Sequence, residues 1–407
     1  MLNKSAILSI FIALGVVLGG FSGWFFGSSM AAVGWLGELF LNALKMLIVP
    51  LVVSSMVVGV AGLGDIRKMG HTGFATLVYF SITTGISVLI GIVLVVMIQP
   101  GIGVDASGLG IPERIQEKGL IGLSDLVLSF VSKNIVQSMA EMDLLPIILF
   151  SLLFGGACTT IGEKGQLVIR FFQGVNEVIL ILVHMVMYFA PIGIFALVAS
   201  RLGQAGGGEA FYSEITKVFS YMLTVILALL IHGLLILPLI LNFFAKRNPL
   251  EYVKNMAQAL LTAFSTASSA ATLPVTIDCV QNRNKISPQS TLFVCPVGAT
   301  VNMDGTALYE AVAVVFIAQS IGFPLGLTEL ILIFITATLA GVGAAAIPEA
   351  GLVTMVIVLN AVGLPLEGIG LLLAVDWFLD RCRTTVNVWG DSVGAAVIDR
   401  VEHLKSS

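Results

Sequence analysis

From Val375 to Asp391 the chain reads VDWFLDRCRTTVNVWGD. A helix advances about 100° per residue, so Asp376, Asp380, Arg383, Thr384, Asn387 and Asp391 share one face, within roughly a third of a turn. On a solvated helix such a stripe needs no explanation. At bilayer depth each unpaired charge costs about 2.5–3.5 kcal/mol, and a stripe of this kind marks a ligand or ion site. The planar fork of Arg383 suits two-point capture of a carboxylate. An ammonium group would need an anionic partner such as Asp380. A pair within the protein, Arg383 with Asp380 or Asp376, is the other reading and is compatible with the first.

Two further segments carry polar groups inside apolar sequence. NMDGT at Asn302–Thr306 supplies a carboxylate, an amide, a hydroxyl and a glycine that releases backbone carbonyls. That is an oxygen-rich set for a hard monovalent cation at an unwound helix, with a water-lined kink as the alternative. TASSAATLP at Thr266–Pro274 offers hydroxyls and backbone N–H groups to a carboxylate. Serine and alanine also serve simply to pack membrane helices.

The surrounding chain decides how these segments are read. It has 407 residues, 57% hydrophobic and 11% charged, with a mean hydropathy of +1.03. Soluble domains carry about a quarter charged residues. The composition predicts an all-α polytopic membrane protein, since the apolar runs are long enough to span as helices. No basic tract suggests nucleic acid. Cys158, Cys279, Cys295 and Cys382 have no metal-ligand spacing.

Six ordinary spans are predicted: Ala6–Phe26, Leu39–Val60, Phe74–Ile98, Leu126–Thr160, Val168–Ser200 and Val218–Phe244. The first is read as a transmembrane helix rather than a cleaved signal, because its Gly-rich, aromatic end is a poor cleavage site. Arg67 with Lys68, Lys164 with Arg170, and Lys246 with Arg247 orient the spans with both termini in the cytoplasm, in the plasma (inner) membrane. Beyond Pro249 the pattern changes. Ala257–Thr276 has positive charge on both flanks and reads as a re-entrant hairpin. Leu292–Phe323 is cut at Asn302–Gly305, and Ile331–Val362 is interrupted by GVGAAAIPEAG. A last helix covers Ile369–Val397. Two broken segments, each followed by a helix bearing polar groups, predict an inverted repeat with the binding site at its centre.

The segments PVGATVNMDGTALYEA, ATLPVT, AAAIPEAGLVTM and VDWFLDRCRTTVNVWGDSVGA together resemble the glutamate transporter family, the dicarboxylate/amino acid:cation symporters. The resemblance covers the whole chain. It implies eight transmembrane helices plus two re-entrant helical hairpins, a homotrimer, and an elevator-type transporter in which a transport domain slides against a rigid scaffold. On that pattern residues 1–73 and 123–217 are scaffold. Residues 74–122 hold a transport-domain helix with an outer loop, and 218–407 complete the transport domain.

The resemblance also implies roles. Arg383 and Thr306 would bind the substrate side-chain carboxylate, Asp380 the amino group, and Asn387 the α-carboxylate, with Thr384 adjoining. Ser268, Ser269 and the backbone from Ile347 to Gly351 would close over the ligand. One sodium site would use Asp391 with Gly298, Asn302 and Asn387. A second would use the backbone from Gly341 to Ala344 with Thr300 and Met303. A third would use Asp304, Asn302, Thr83 and Thr84, supported by Asp376. Glu310 stands where the animal members link a glutamate to proton co-transport and potassium counter-transport. A lone buried carboxyl can carry a proton.

Where archaeal members have an arginine in the first hairpin, this chain has Ala267, and Arg381 appears on the last helix. Arg381 points roughly 160° away from Arg383, outside the pocket, yet its stem can reach a hairpin. His184 and His232 are read as helix-packing hydrogen bonders rather than proton relays, and Glu349 as solvated. The expected function is sodium-coupled symport of L-aspartate or L-glutamate. The alternatives are a proton-driven dicarboxylate or amino acid symporter and a transporter with an anion conductance. An enzyme is not expected, since no Ser–His pairing accompanies the serines.

Overall fold

The structure is a computed structural model describing residues 4–61, 70–102, 128, 130–204, 208–342 and 350–406. Among these residues every regular element is a helix. α1 (Lys4–Phe26), a 3₁₀ turn, α2 (Gly34–Ala61) and α3 (Gly70–Ile98) occupy the first three predicted spans.

The fourth predicted span is not one helix. Leu126–Thr160 divides into α4 (Ile135–Glu141) and α5 (Leu144–Thr160). The Asn134 side chain caps α4 by accepting the Val136 and Gln137 N–H groups, and Met142 ends it in the left-handed region at φ 58°. Val168–Ser200 divides likewise. α6 (Glu163–Met187) stops at a turn over Tyr188 and Phe189, and α7 (Ala190–Gln204) begins with Pro191 in its first turn. Proline is tolerated there because its missing N–H has no intrahelical acceptor.

α8 (Gly208–Ile231) runs on to Ala245 through two π turns, His232–Ile236 and Leu241–Ala245. α9 (Pro249–Thr266) and α10 (Ser269–Asp278) form a tight helical hairpin. Ala267 makes the reversal at φ 50°, and Ser268 starts the second arm with its hydroxyl accepting the Ala271 N–H at 3.2 Å. The hairpin expected at Ala257–Thr276 is thus present, with a first arm that starts earlier.

α11 (Pro288–Val301) and α12 (Asp304–Ser320) are split at Asn302 and Met303, whose backbones leave helical geometry. α13 (Leu327–Val342) and α14 (Ala350–Val362) pack on each other. Ala344, Ile347, Pro348 and Glu349, between them, lie outside the described residues. α15 (Ile369–Ser406) extends nine residues past the predicted Val397, since hydropathy reports where a membrane ends and not where a helix does.

Two groups of helices emerge from the packing. α1 lies on α7, and α2 on α5, α6 and α7. α3 lies on α12, while α9, α11 and α12 pack on α15. The groups meet where α15 touches α1 and α7, and where α14 touches α2 and α5. Every residue of α12 except Gln319 is buried. A helix apolar on all faces has to be central, and α12 is the post around which the second group is built.

The α1–α7 contact depends on absent side chains. A Cβ on Gly15, Gly19 or Gly23 would sit 2.5, 2.7 or 2.9 Å from the carbonyl oxygens of Pro191, Phe195 and Ala199. Four-residue spacing of glycines lets two helix backbones touch. Gly19→Leu is expected to destabilise the protein by about 1–3 kcal/mol through overpacking. Gly20→Leu, whose Cβ would meet only the end of Leu202 at 3.9 Å, serves as control. Thermal unfolding in detergent should separate the two, and equal midpoints would refute the packing argument.

Candidate functional site

The predicted stripe of α15 is buried from end to end. Arg383 is fully enclosed, and Asp376, Asp380, Thr384, Asn387 and Asp391 are each no more than 6% exposed. Arg383 Nη2 donates to Asp380 Oδ1 at 2.8 Å, and Nη1 lies 3.0 Å from Asp376 Oδ1. The guanidinium carbon is 3.9 Å from the centre of the Tyr309 ring on α12. The internal pair and the ligand role are therefore not exclusive. Arg383 Nε has no hydrogen-bond acceptor among the described residues, and Nη1 meets only Asp376, so this buried cation retains donor capacity for a carboxylate.

α14 roofs the guanidinium at Gly351. A Cβ there would come 2.6 Å from Nη1 and 3.0 Å from the guanidinium carbon. Only glycine permits that approach. One turn on, the Thr354 hydroxyl donates to Glu310 Oε1 of α12, and Glu310 is fully buried with Oε2 unpartnered.

Asn387 links this end of the stripe to the break in the α11–α12 pair. Its Oδ1 accepts the Gly305 N–H at 2.7 Å. Its Nδ2 donates to Thr306 Oγ1 and to Met303 Sδ, both at 3.3 Å. Gly305 is needed here too, because a Cβ would lie 2.7 Å from the Arg383 carbonyl. The helix break thus presses its freed backbone against the polar stripe.

Behind it is an oxygen cluster. Asn302 Nδ2 donates to Asp391 Oδ1 at 2.9 Å and to the Asn387 carbonyl at 3.3 Å, leaving its buried Oδ1 without a donor. Asp304 Oδ1 accepts the Thr84 hydroxyl at 2.6 Å, and its carbonyl accepts Ser87 at 2.7 Å. Gly298 lets the Asp391 carboxylate approach the backbone of α11, since a Cβ would collide with Oδ1. Gly390 does the same for Asn302, with a Cβ position 2.7 Å from Nδ2. The donors are carboxylates, an amide oxygen, hydroxyls and carbonyls, a set suited to a hard cation rather than a soft one. Among the described residues no three His, Cys, Asp or Glu side chains gather as a metal site of the transition-metal kind.

The sequence matches the profile of the sodium:dicarboxylate symporter family over residues 8–401. The chain belongs to that family. It is 39% identical to the mouse excitatory amino acid transporter 3, over 98% of this chain and 85% of that one. With the human excitatory amino acid transporter 3 it shares 40% identity, over 90% of this chain and 78% of that one. The mouse excitatory amino acid transporter 2 is 37% identical over all of this chain and 80% of its own. Family membership and the apolar helices together establish a multi-pass membrane protein.

Within this symporter fold most of the predicted residues converge. Arg383 meets Asp380 and Gly351, Asn387 meets Thr306 beside it, and Asn302, Asp304, Asp391, Thr84 and Gly298 form the adjoining cluster. Thr384 is buried on the same stripe, and Ser268 and Ser269 are buried at the tip of the α9–α10 hairpin, which packs on α15. Gly341 lies beside Met303, its Cβ position 3.6 Å from that of Met303. Thr83 is buried but turns its hydroxyl to the carbonyls of Tyr79 and Phe80. Thr300 is exposed, with its hydroxyl on the Val297 carbonyl. Asp376 stands with Arg383, not with Asp304. Arg381 reaches out as its helical position requires, and its Nη1 holds the Phe264 and Ser265 carbonyls at 3.1 and 2.9 Å, ending the first hairpin arm.

His232 is a buried hydrogen bonder as expected, but its partner was not foreseen. His232, fully buried in the π turn of α8, places Nε2 3.0 Å from Asp304 Oδ2. A lone histidine in an apolar span carries no periodic signal for such a contact. The proline-free π turn that aims it is equally silent in the sequence.

Gly390 gives a direct test of the cluster. Gly390→Ala would push on Asn302, which is buried and cannot retreat, at an expected cost of about 1–3 kcal/mol. We expect the sodium concentration for half-maximal uptake to rise about tenfold or more. An unchanged sodium titration would separate this cluster from ion binding.

Proposed function

We propose that the chain is a secondary active symporter that carries an acidic amino acid, L-aspartate or L-glutamate, across a membrane together with sodium. The observation that carries this reading is Arg383, a fully buried guanidinium with unused donors, flanked by two carboxylates and roofed by Gly351. The guanidinium accepts the side-chain carboxylate. Asp380, next to it, attracts the ammonium, which a plain dicarboxylate lacks. Thr306 assists Arg383 at the side-chain carboxylate, and Asn387 addresses the α-carboxylate. The names of the relatives point the same way.

Sodium would lie among Asp391, Asn302 and the Gly298 carbonyl, and beside Asp304 and Thr84. Entry of the ion stiffens the α11–α12 break, whose Gly305 and Thr306 also contact the Asn387 that faces substrate. This shared residue supplies a physical route for coupling the two ligands. No step in this scheme makes or breaks a covalent bond, and we read the protein as a transporter rather than an enzyme.

The scaffold is assigned to residues 1–73 and 123–217, and the moving unit to 74–122 and 218–407. The two packing groups support that partition, since the ligand residues all fall in the second. Homotrimeric assembly, elevator motion, plasma-membrane location and cytoplasmic termini are part of the same reading. Glu310 is assigned the proton, with potassium taking its place on the return, because its partner Thr354 sits on α14, one turn from the roof over Arg383.

Uptake of labelled L-aspartate and L-glutamate into proteoliposomes tests the core of this reading. Uptake should require external sodium and vanish in Arg383→Ala. Uptake driven by a proton gradient alone would overturn the sodium assignment. Glu310→Gln should preserve exchange of internal for external substrate and should weaken net uptake and its pH dependence. Net uptake in Glu310→Gln with the pH profile of the unaltered protein would remove Glu310 from coupling.

A further inference from the structure

A cavity of about 380 Å³ lies away from the polar stripe, between α8, the first hairpin arm α9 and the outer face of α15. It falls in the ordinary size range of small-molecule sites, about 300–1,000 Å³. Its walls are three helical faces. α15 presents Cys382, Thr385, Val386 and Trp389, spaced i, i+3, i+4, i+7. α9 presents Leu250, Val253, Leu260 and Phe264, and α8 closes the rest from Ile226 to Pro238.

The lining is almost wholly apolar, and its few polar groups are already engaged. The Thr385 hydroxyl is spent on the Arg381 carbonyl at 2.8 Å, so its methyl group lines the wall. The Gly233 carbonyl accepts the Trp389 indole N–H at 2.9 Å. A polar ligand would lose its hydration here and gain nothing in exchange. Leu234 and Leu250 at the margin are 71% and 72% exposed, so the cavity opens outward on an apolar rim.

Lys246, Arg247 and Lys254 flank the lining residues Pro249, Leu250 and Val253 in the sequence, and the Lys246 and Lys254 side chains are exposed there. Lys254 is about 40° from Leu250 on the same helix. None of the three makes an ion pair among the described residues. One carboxylate, Glu251, opposes three cations there. An apolar slot with a basic mouth has the charge pattern of an anionic lipid, with its chain inside and its phosphate at the mouth.

We propose that this cavity binds an anionic phospholipid, one acyl chain lying against Trp389 and the phosphate held by Lys246, Arg247 and Lys254. The site is built on the helix that carries Arg383 and on the hairpin arm that Arg381 holds. A lipid seated there braces the back of the substrate site.

Trp389 is the natural reporter. Trp24, Trp35 and Trp377 are replaced by phenylalanine in the full-length chain, and the protein is reconstituted into vesicles containing phosphatidylglycerol or phosphatidylcholine with brominated acyl chains. Trp389 should be quenched at least twofold more by brominated phosphatidylglycerol than by brominated phosphatidylcholine at equal content. Lys246→Asn, Arg247→Gln and Lys254→Gln together, all outside the cavity wall, should abolish the difference while quenching by phosphatidylcholine stays. Equal quenching by both lipids, or no quenching by either, would overturn the proposal. So would a preference for phosphatidylglycerol that survives loss of the three cations. Sodium-dependent uptake of the tryptophan-substituted protein, recorded in parallel, keeps a folding failure distinguishable from a negative result.

Discussion

Arg383 cannot give up its proton at any accessible pH, and the fold leaves it no water. Its neighbours answer to that fact. Asp380 and Asp376 stand three and seven residues back on its own helix, which brings both carboxylates to one side of the guanidinium. The Tyr309 ring covers a face of it, and Gly351 gives up its side chain so that α14 can close on it. Removing one partner of a buried pair costs about 3–5 kcal/mol. The cluster is therefore rigid where it touches itself, and open at Nε, which lacks an acceptor among the described residues.

The charge inventory extends the argument to coupling. Of the seven buried carboxyl groups among the described residues, five, Asp304, Glu310, Asp376, Asp380 and Asp391, lie on α12 and the stripe of α15, where Arg383 is the one buried guanidinium. Adding an anionic substrate to such a site is unfavourable unless cations come with it. The Asn302–Asp304–Asp391 cluster lies within one side chain of Asn387 and Thr306, so a cation held there would act on the polar stripe with little screening. In this sense the sodium requirement follows from burying an excess of carboxylates. His232 adds a donor or an acceptor at Asp304, according to its tautomer, at the one place where the cluster meets α8.

Much of this was legible beforehand because it obeys a period or breaks one. The stripe from Asp376 to Asp391 is a helical repeat, and each of its six polar residues is buried. NMDGT announced a break in an apolar run, and the helices do part at Asn302 and Met303. Arg381 was placed by angle alone. The failures have a common cause. Leu126–Thr160 and Val168–Ser200 are apolar throughout, so hydropathy joins what an Asn134 cap, a left-handed Met142 and a turn at Tyr188–Phe189 divide. Asp376 was assigned to the Asp304 cluster through the resemblance. Helical geometry alone pairs it with Arg383, seven residues and about two turns away.

Glycine is the thread between fold and site. At Gly15, Gly19 and Gly23 its absent side chain joins α1 to α7, and there the gain is packing alone. At Gly298, Gly305, Gly351 and Gly390 the same absence brings a carboxylate, a carbonyl, a guanidinium or an amide against backbone. Backbone amides and carbonyls become ligand groups only at such short range. A membrane protein cannot expose unpaired backbone to lipid, so it can unwind a helix only where other protein covers the break. The break at Asn302 and Met303 meets that condition because α15 has glycine opposite it and because α12, buried on every face, cannot move away. The oxygen cluster and the central post of the fold are in this way one construction.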